Sequence, residues 1–292
     1  MRSFNYFSDE YNHVTKVHPC FSHACHAKYA RIHIPVAPRC NIQCNYCERG
    51  LNTYVQKPGF ASKILTPFDA LKAVERAVED KDKYELSVVG VAGPGDALAN
   101  EETFTTLKLI HAKYPWLLKC IATNGLELPA NVDRLLDCGV KAITVTVNAV
   151  DPIIASRIYE YIIFNGEKRA GIDAAQILIS NQLKGIELSS KFGLCVKVNT
   201  VLIPDVNNRH VVKVAETVAM HGAFIMNVIP LIPGYKFRQL KPPTHEEIKN
   251  TRKLCSKYII QFNDCKLCRA DAYGIPGLET KFSKDQLKCC SI

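Results

Sequence analysis

The sequence predicts an α/β protein folded as a partial (βα)6 TIM-like barrel, and three observations support that class. Short runs rich in β-branched residues alternate with helix-like segments, the pattern of a parallel sheet with crossover helices. Six such runs occur in the 292 residues, too few to close the eight-fold form. The segments bearing cysteine, glycine and asparagine fall directly after the runs, and barrels carry their chemistry on the loops at the C-terminal ends of strands.

Taken in order, strands are expected at 30–36, 86–91, 118–122, 142–147, 196–203 and 225–229. Helices are expected at 67–79, 101–113, 131–138, 152–192 with a break near 165–169, and 208–221. Thr66 before Pro67 suits an N-cap followed by a proline in the first turn, where the missing N–H has no helical partner to lose. The barrel then spans 29–230, between an extension at 1–28 and another at 231–292. In the latter, Pro233-Gly234 and Pro242-Pro243 punctuate the chain ahead of a helix near 245–258.

Composition narrows the class. At 47% hydrophobic content the chain is long enough to bury one large core. No apolar run reaches about 18 residues and the N-terminus lacks the pattern of a signal peptide, so a soluble, cytoplasmic protein with no membrane partner is expected. Thirteen cysteines are many for such a chain, and in a reducing compartment they serve metals or catalysis more than disulfides. The formal charge of +9 suits either nucleic acid or the compensation of thiolates and anionic clusters. Lysine and arginine are scattered without a dense basic block, so a nucleic-acid partner is not expected.

Cys40-Asn41-Ile42-Gln43-Cys44-Asn45-Tyr46-Cys47 is a C-x3-C-x2-C run directly after the first strand. Three thiolates hold three irons of a 4Fe-4S cluster and leave the fourth iron open to a small chelating molecule. The spacing is odd for a tetrahedral zinc site, and no second pair stands nearby. The run closely resembles the motif of the radical S-adenosylmethionine (SAM) superfamily. That resemblance implies that SAM chelates the open iron, that the reduced cluster cleaves it to a 5'-deoxyadenosyl radical, and that Cys40, Cys44 and Cys47 are the catalytic ligands. It also implies the superfamily's form of the partial barrel, with cluster-binding extensions at both ends.

Tyr46 matches the superfamily's aromatic position beside adenine. Gly93-Pro94-Gly95-Asp96 follows the second strand, where a glycine-rich segment receives the SAM amino group, so Gly93 and Asp96 are expected to bind the cofactor. Asn124, Thr146, Asn148 and Asn199 at later strand ends, with Val198 beside Asn199, are candidates for the carboxylate or ribose. Capping is the plainer alternative for the polar ones.

Cys265-Lys266-Leu267-Cys268 is a second, distant pair. A zinc knuckle needs another pair, and Cys289-Cys290 is too crowded to supply it. Partners must come from elsewhere, and Cys20, His26, His33 and Cys120 are the candidates. His33 alternates with Arg31 and Pro35, which suits an inward-facing side chain. Taken alone, a strand histidine is more often a satisfied core residue. Cys120, like Cys138, Cys195 and Cys255, then reads as a small hydrophobe. Cys25 lies beside Cys20 and His26 in sequence.

Together, His18-Pro19-Cys20, Ala30-Arg31-Ile32-His33, Val36-Ala37-Pro38, Ala92-Gly93-Pro94-Gly95-Asp96, Cys120-Ile121-Ala122-Thr123-Asn124-Gly125 and Cys268-Arg269-Ala270-Asp271-Ala272 resemble the NifB family of radical SAM enzymes. The resemblance implies nitrogenase cofactor biosynthesis: two further 4Fe-4S substrate clusters are fused around a SAM-derived carbide, with an added sulfur, into an Fe8S9C precursor. It implies that Cys20, His33 and Cys120 hold one substrate cluster, that Cys265 and Cys268 hold the other, and that His26 is a further metal-site histidine. It also implies iron-sulfur cluster donors and an electron donor such as ferredoxin or flavodoxin. A separate cofactor carrier or scaffold protein is expected too, since the chain stops at Ile292 without a carrier domain.

One segment departs from the family. Asn-Glu-Ser-Arg-Pro-Gly is replaced by Tyr54-Val55-Gln56-Lys57-Pro58-Gly59, which loses the glutamate and exchanges a planar guanidinium for an ammonium. The alternatives are a NifB-like paralogue, a radical SAM enzyme acting on RNA or a peptide, and an iron-sulfur electron carrier, although the last gains nothing from an open iron.

Overall fold

The computed structural model describes residues 10–80 and 84–279. Six parallel strands follow one another in sequence and in space: β1 (Ala30–His33), β2 (Leu86–Val91), β3 (Leu118–Thr123), β4 (Val140–Thr146), β5 (Cys195–Leu202) and β6 (Ile225–Pro230). The helices that return the chain between them include α1 (Pro67–Glu79), α2 (Glu101–Lys113), α3 (Leu128–Asp137), α4 (Pro152–Ile158), α5 (Gly171–Lys191) and α6 (Val211–Met220). This is the expected partial barrel. Its sheet stays open, and each edge is covered from the C-terminal extension: Ile260–Gln261 lies parallel to β6, and Tyr273–Gly274 lies antiparallel to β1.

Local chemistry explains the boundaries. Thr66 accepts a hydrogen bond from the Asp69 N–H at 3.2 Å, with Pro67 opening α1. Asp151 caps α4 through the N–H groups of Ile153 and Ile154, again with proline first. Thr244 and Glu247 form a reciprocal capping box at the start of α7 (His245–Cys255).

The two-residue period of the strands sorts side chains into two cores. Ile32, Val89, Ile121, Ile143 and Met226 pack against the helices. Val88, Leu118, Ala142, Cys195 and Ile225 face into the barrel, where Tyr11, Val14 and Phe21 from the N-terminal extension and Phe262 plug its lower end.

The expected helix over 152–192 with a break near 165–169 is corrected: the interruption is longer and is itself β-structure. Between α4 and α5 the chain forms a hairpin of Tyr159–Phe164 and Glu167–Arg169. The reason is local: Tyr159-Glu160-Tyr161-Ile162-Ile163-Phe164 is rich in β-formers, and Asn165-Gly166 supplies two successive positive-φ residues at 52° and 79°, the demand of a tight hairpin turn. α3 also starts earlier than expected, at Leu128, and α6 later, at Val211. Cys289 and Cys290 lie outside the described residues. Among the described residues, no helix is long and apolar enough to cross a membrane.

Candidate active site

Cys40, Cys44 and Cys47 line one cavity of about 250 Å³ at the C-terminal ends of the strands, together with Tyr46, Asp96, Asn124 and Thr146. The misread hairpin holds their loop. Ile42–Cys44 pairs antiparallel with Tyr159–Phe164, and Cys44 stands opposite Tyr159. Gln43 Nε2 ties the loop inward by donating to the carbonyls of Cys44 at 2.9 Å and Cys47 at 3.1 Å.

All three thiols are free. Burial pushes the Cys40 thiol up to about 11, and burial with the neighbouring Cys47 pushes Cys44 well above its ordinary value. Such thiols ionise when a metal displaces the proton. Among the described residues, no three His, Cys, Asp or Glu side chains converge on a single metal ion. A tetrahedral zinc requires convergence, whereas a cluster that takes a different iron from each cysteine does not. Three thiols beside an open, partly polar cavity fit the latter.

Gly93 to Asp96 locks onto the entry to the cysteine loop. Gly95 N donates to the Ala37 carbonyl at 2.7 Å and Asp96 N to the Arg39 carbonyl at 2.9 Å. A Cβ on Gly95 would collide with the Arg39 backbone, so within the Gly93 to Asp96 segment this glycine is the sterically critical one. Gly93 stands behind the cavity against Ala270, while Pro94, Gly95 and Asp96 line it. The Asp96 carboxylate accepts from Thr123 Oγ1, Leu98 N and Asn124 N, so its main work is to hold the loop after β3. Its burial raises the carboxyl to about 6.

The remaining cofactor candidates divide. Asn124 lies 3.9 Å from Cys40 Sγ through its Nδ2, which also donates to Asn41. Asn148 is fully buried outside the cavity lining; it donates to the Tyr46 hydroxyl at 2.8 Å and accepts from Val201 N, so it positions Tyr46. Asn199 faces inward one layer lower and accepts from Asn227 at 3.2 Å. Strand parity turns the Val198 side chain outward into the helix-facing core, which leaves only its backbone toward the barrel interior. Tyr159, unassigned in the sequence, is a buried wall of the cavity whose hydroxyl stands beside Asn148 and Gln182.

A second group lies one layer below. His33, Gly90 and Cys120 are register partners on β1, β2 and β3. A Cβ on Gly90 would stand 3.0 Å from Cys120 Sγ and 3.2 Å from His33 Cδ2, so the missing side chain lets both fill the space. Ala92 and Ala122, two residues further along the same strands, line the upper cavity, a separation of about 6.6 Å.

Cys20, from the N-terminal plug, is in electrostatic contact with Cys120 and Cys265. Burial pushes Cys120 up to about 12, with Cys20 adding to the shift. Burial, reinforced by Arg31, depresses His33 to about 4, so its ring is neutral near pH 7. Its Nδ1–H donates to the Arg269 carbonyl at 3.0 Å, which leaves the Nε2 lone pair for a metal.

Cys268 accepts from the buried Arg31 guanidinium at 2.8 Å, and Arg31 also pairs with Glu279 at 2.6 Å. Leu267, between Cys265 and Cys268, lines the upper cavity, so the pair stands beside both layers. Arg269 binds the carbonyls of Asn52 and Val55 and pairs with Asp271, fastening the altered 54–59 segment to the C-terminal extension. Within that segment Lys57 pairs with Glu48 at 2.8 Å at the cavity wall. His26 Nδ1–H donates to the Pro19 carbonyl at 2.8 Å, and its buried Nε2 has no partner.

Known proteins match this arrangement. The model of the radical SAM superfamily matches residues 34–218. The FeMo cofactor biosynthesis protein NifB of Methanocaldococcus jannaschii is 47% identical over 268 residues, covering 91% of this chain and 88% of that protein. That of Klebsiella pneumoniae is 43% identical over 268 residues, covering 89% of this chain and 57% of that protein. The crystal structure of Streptococcus suis SuiB bound to S-adenosylmethionine shares the fold, with a TM-score of 0.59 at 12% identity over 82% of this chain and 52% of that chain. The chain therefore belongs to the NifB family of FeMo cofactor biosynthesis proteins, within the radical SAM superfamily whose members use a 4Fe-4S cluster and SAM.

Proposed function

We propose that this protein fuses two 4Fe-4S substrate clusters, with insertion of a SAM-derived carbide and an added sulfur, into the Fe8S9C precursor of a nitrogenase cofactor. One observation supports this above the others: a second soft donor set, Cys20, His33 and Cys120, shares the barrel interior with the three-cysteine cavity and lies a layer beneath it. A radical formed above would meet a metal guest below.

When bound, the cluster at Cys40, Cys44 and Cys47 and its SAM supply the electron and the 5'-deoxyadenosyl radical. Tyr46, held by Asn148, and Tyr159 wall that space and limit water. Cys20 and Cys120 supply thiolates to one substrate cluster, and neutral His33 supplies Nε2, a ligand shed more easily than a thiolate. Cys265 and Cys268 hold the other cluster, with His26 at the margin. The proposed partners are iron-sulfur cluster donors, a ferredoxin- or flavodoxin-type reductant and a carrier protein.

Anaerobically reconstituted protein given reductant and methyl-labelled SAM tests this. S-adenosylhomocysteine and 5'-deoxyadenosine are expected in parallel, with labelled carbon retained in the extracted cluster. Formation of 5'-deoxyadenosine with no S-adenosylhomocysteine and no retained label would contradict the reading.

A further inference from the structure

Two buried donors in the lower layer have more hydrogen-bonding capacity than the protein uses. Lys197 points inward from β5 and is 5% exposed. Its ammonium makes one hydrogen bond, to the Cys20 carbonyl at 3.1 Å, between the rings of Phe21 at 4.9 Å and Phe262 at 5.4 Å. Among the described residues no carboxylate forms an ion pair with it. An ammonium carries three donors, and among the described residues the other two meet only these aromatic faces and no hydrogen-bond acceptor.

His18 is 2% exposed, and its Nδ1 accepts from the Cys20 N–H at 3.1 Å. The ring proton of neutral His18 therefore sits on Nε2, which is buried and without a partner. His18 and Lys197 thus hold Cys20 at its N–H and its C=O respectively while each keeps a donor free. Both are in electrostatic contact with one another, and His18 also with His33.

Unpartnered buried donors and an unpaired buried cation destabilise a fold, and their persistence points to a partner that arrives later. That partner must be rich in acceptors and must fit beside two thiolates. We infer that Lys197 and His18 are positioning residues that donate hydrogen bonds, from Nζ and Nε2, to the sulfide face of the cluster held by Cys20, His33 and Cys120. The inference rests on the reading of that chamber as a substrate-cluster site. Hydrogen bonds to cluster sulfurs and nearby positive charge make a cluster easier to reduce.

The test uses the reconstituted full chain with Lys197→Met, Lys197→Arg and His18→Asn. In the last, the carboxamide oxygen of the introduced side chain stands in for Nδ1 toward the Cys20 N–H while the Nε2–H is lost. Redox titration followed by EPR reads the lower cluster, with the cluster at Cys40, Cys44 and Cys47 as internal reference. Lys197→Met and His18→Asn are expected to lower the midpoint potential of the lower cluster and to weaken its retention about tenfold or more, and Lys197→Arg to restore most of both. Thermal melting separates this from a merely structural anchor. The metal-free Lys197→Met chain is expected to melt at or above the wild type, since an unsatisfied charge is gone. Unchanged potential and retention in both variants, or a metal-free Lys197→Met chain that melts well below wild type, would overturn the inference and leave the chamber's assignment intact. A wild type with no second cluster would instead overturn that assignment.

Discussion

The three-cysteine cavity and the chamber beneath it lie two residues apart along the same strands, yet they are built in opposite ways. Cys40, Cys44 and Cys47 come from a single loop, pinned by Gln43 and by pairing with the Tyr159–Phe164 strand. Cys20, His33 and Cys120 come from the N-terminal plug and two strands, and Arg269 from the C-terminal extension orients His33. The upper set is held within the barrel itself, by its own loop, the hairpin strand and the Gly93 to Asp96 segment. The lower set exists only when plug, barrel and C-terminal extension are docked, so its geometry depends on segments far apart in the chain.

The largest expected contrast comes from deleting ligands. Cys40→Ala should reduce 5'-deoxyadenosine formation to background by chromatography. Cys120→Ala should instead remove roughly four irons by iron assay and abolish the fused product, while uncoupled SAM cleavage persists. Equal loss of SAM cleavage in both variants would break the distinction between the layers.

Tyr159→Ala should cost about 3–5 kcal/mol by denaturant unfolding, as for deletion of a buried aromatic ring. Tyr159→Phe should cost only about 1 kcal/mol, the net worth of the hydroxyl's polar contacts with Asn148 and Gln182. This asymmetry would show that the hairpin supports the upper site through packing.

A smaller effect is pH-dependent. Burial lifts the Asp96 carboxyl to about 6 from 3.8. A carboxyl with a raised folded pKa binds more protons folded than unfolded, so stability falls as pH rises from about 4 to about 6, by at most about 3 kcal/mol, and then levels. Asp96→Asn should flatten that slope in melts of the metal-free protein. The smallest effect is expected at Lys57, whose half-buried pair with Glu48 lies at the cavity rim. Lys57→Ala should raise the KM for SAM by no more than about fivefold, with kcat kept.

The upper site was legible because its ligands lie within eight consecutive residues and its strands carry long β-branched runs. The turn at Asn165-Gly166 was legible as a break, but the strand at 159–164 was not, because its apolar residues also satisfy a helical period. The outward turn of the Val198 side chain follows from strand parity, and the bonds of Asn148 to Tyr46 and Val201 join residues far apart in sequence. The fit of His33 against Cys120 depends on Gly90, which lies between them in the sheet and far from Cys120 in sequence. Register across three strands is a non-local property, and no local pattern encodes it.

Iron counting with EPR on an anaerobically reconstituted variant carrying Cys40→Ala, Cys44→Ala and Cys47→Ala tests the separation of the two layers most directly. About eight of about twelve irons should survive, with cluster signals that no longer respond to SAM. A variant devoid of iron, from a wild type holding only about four, would contradict the account.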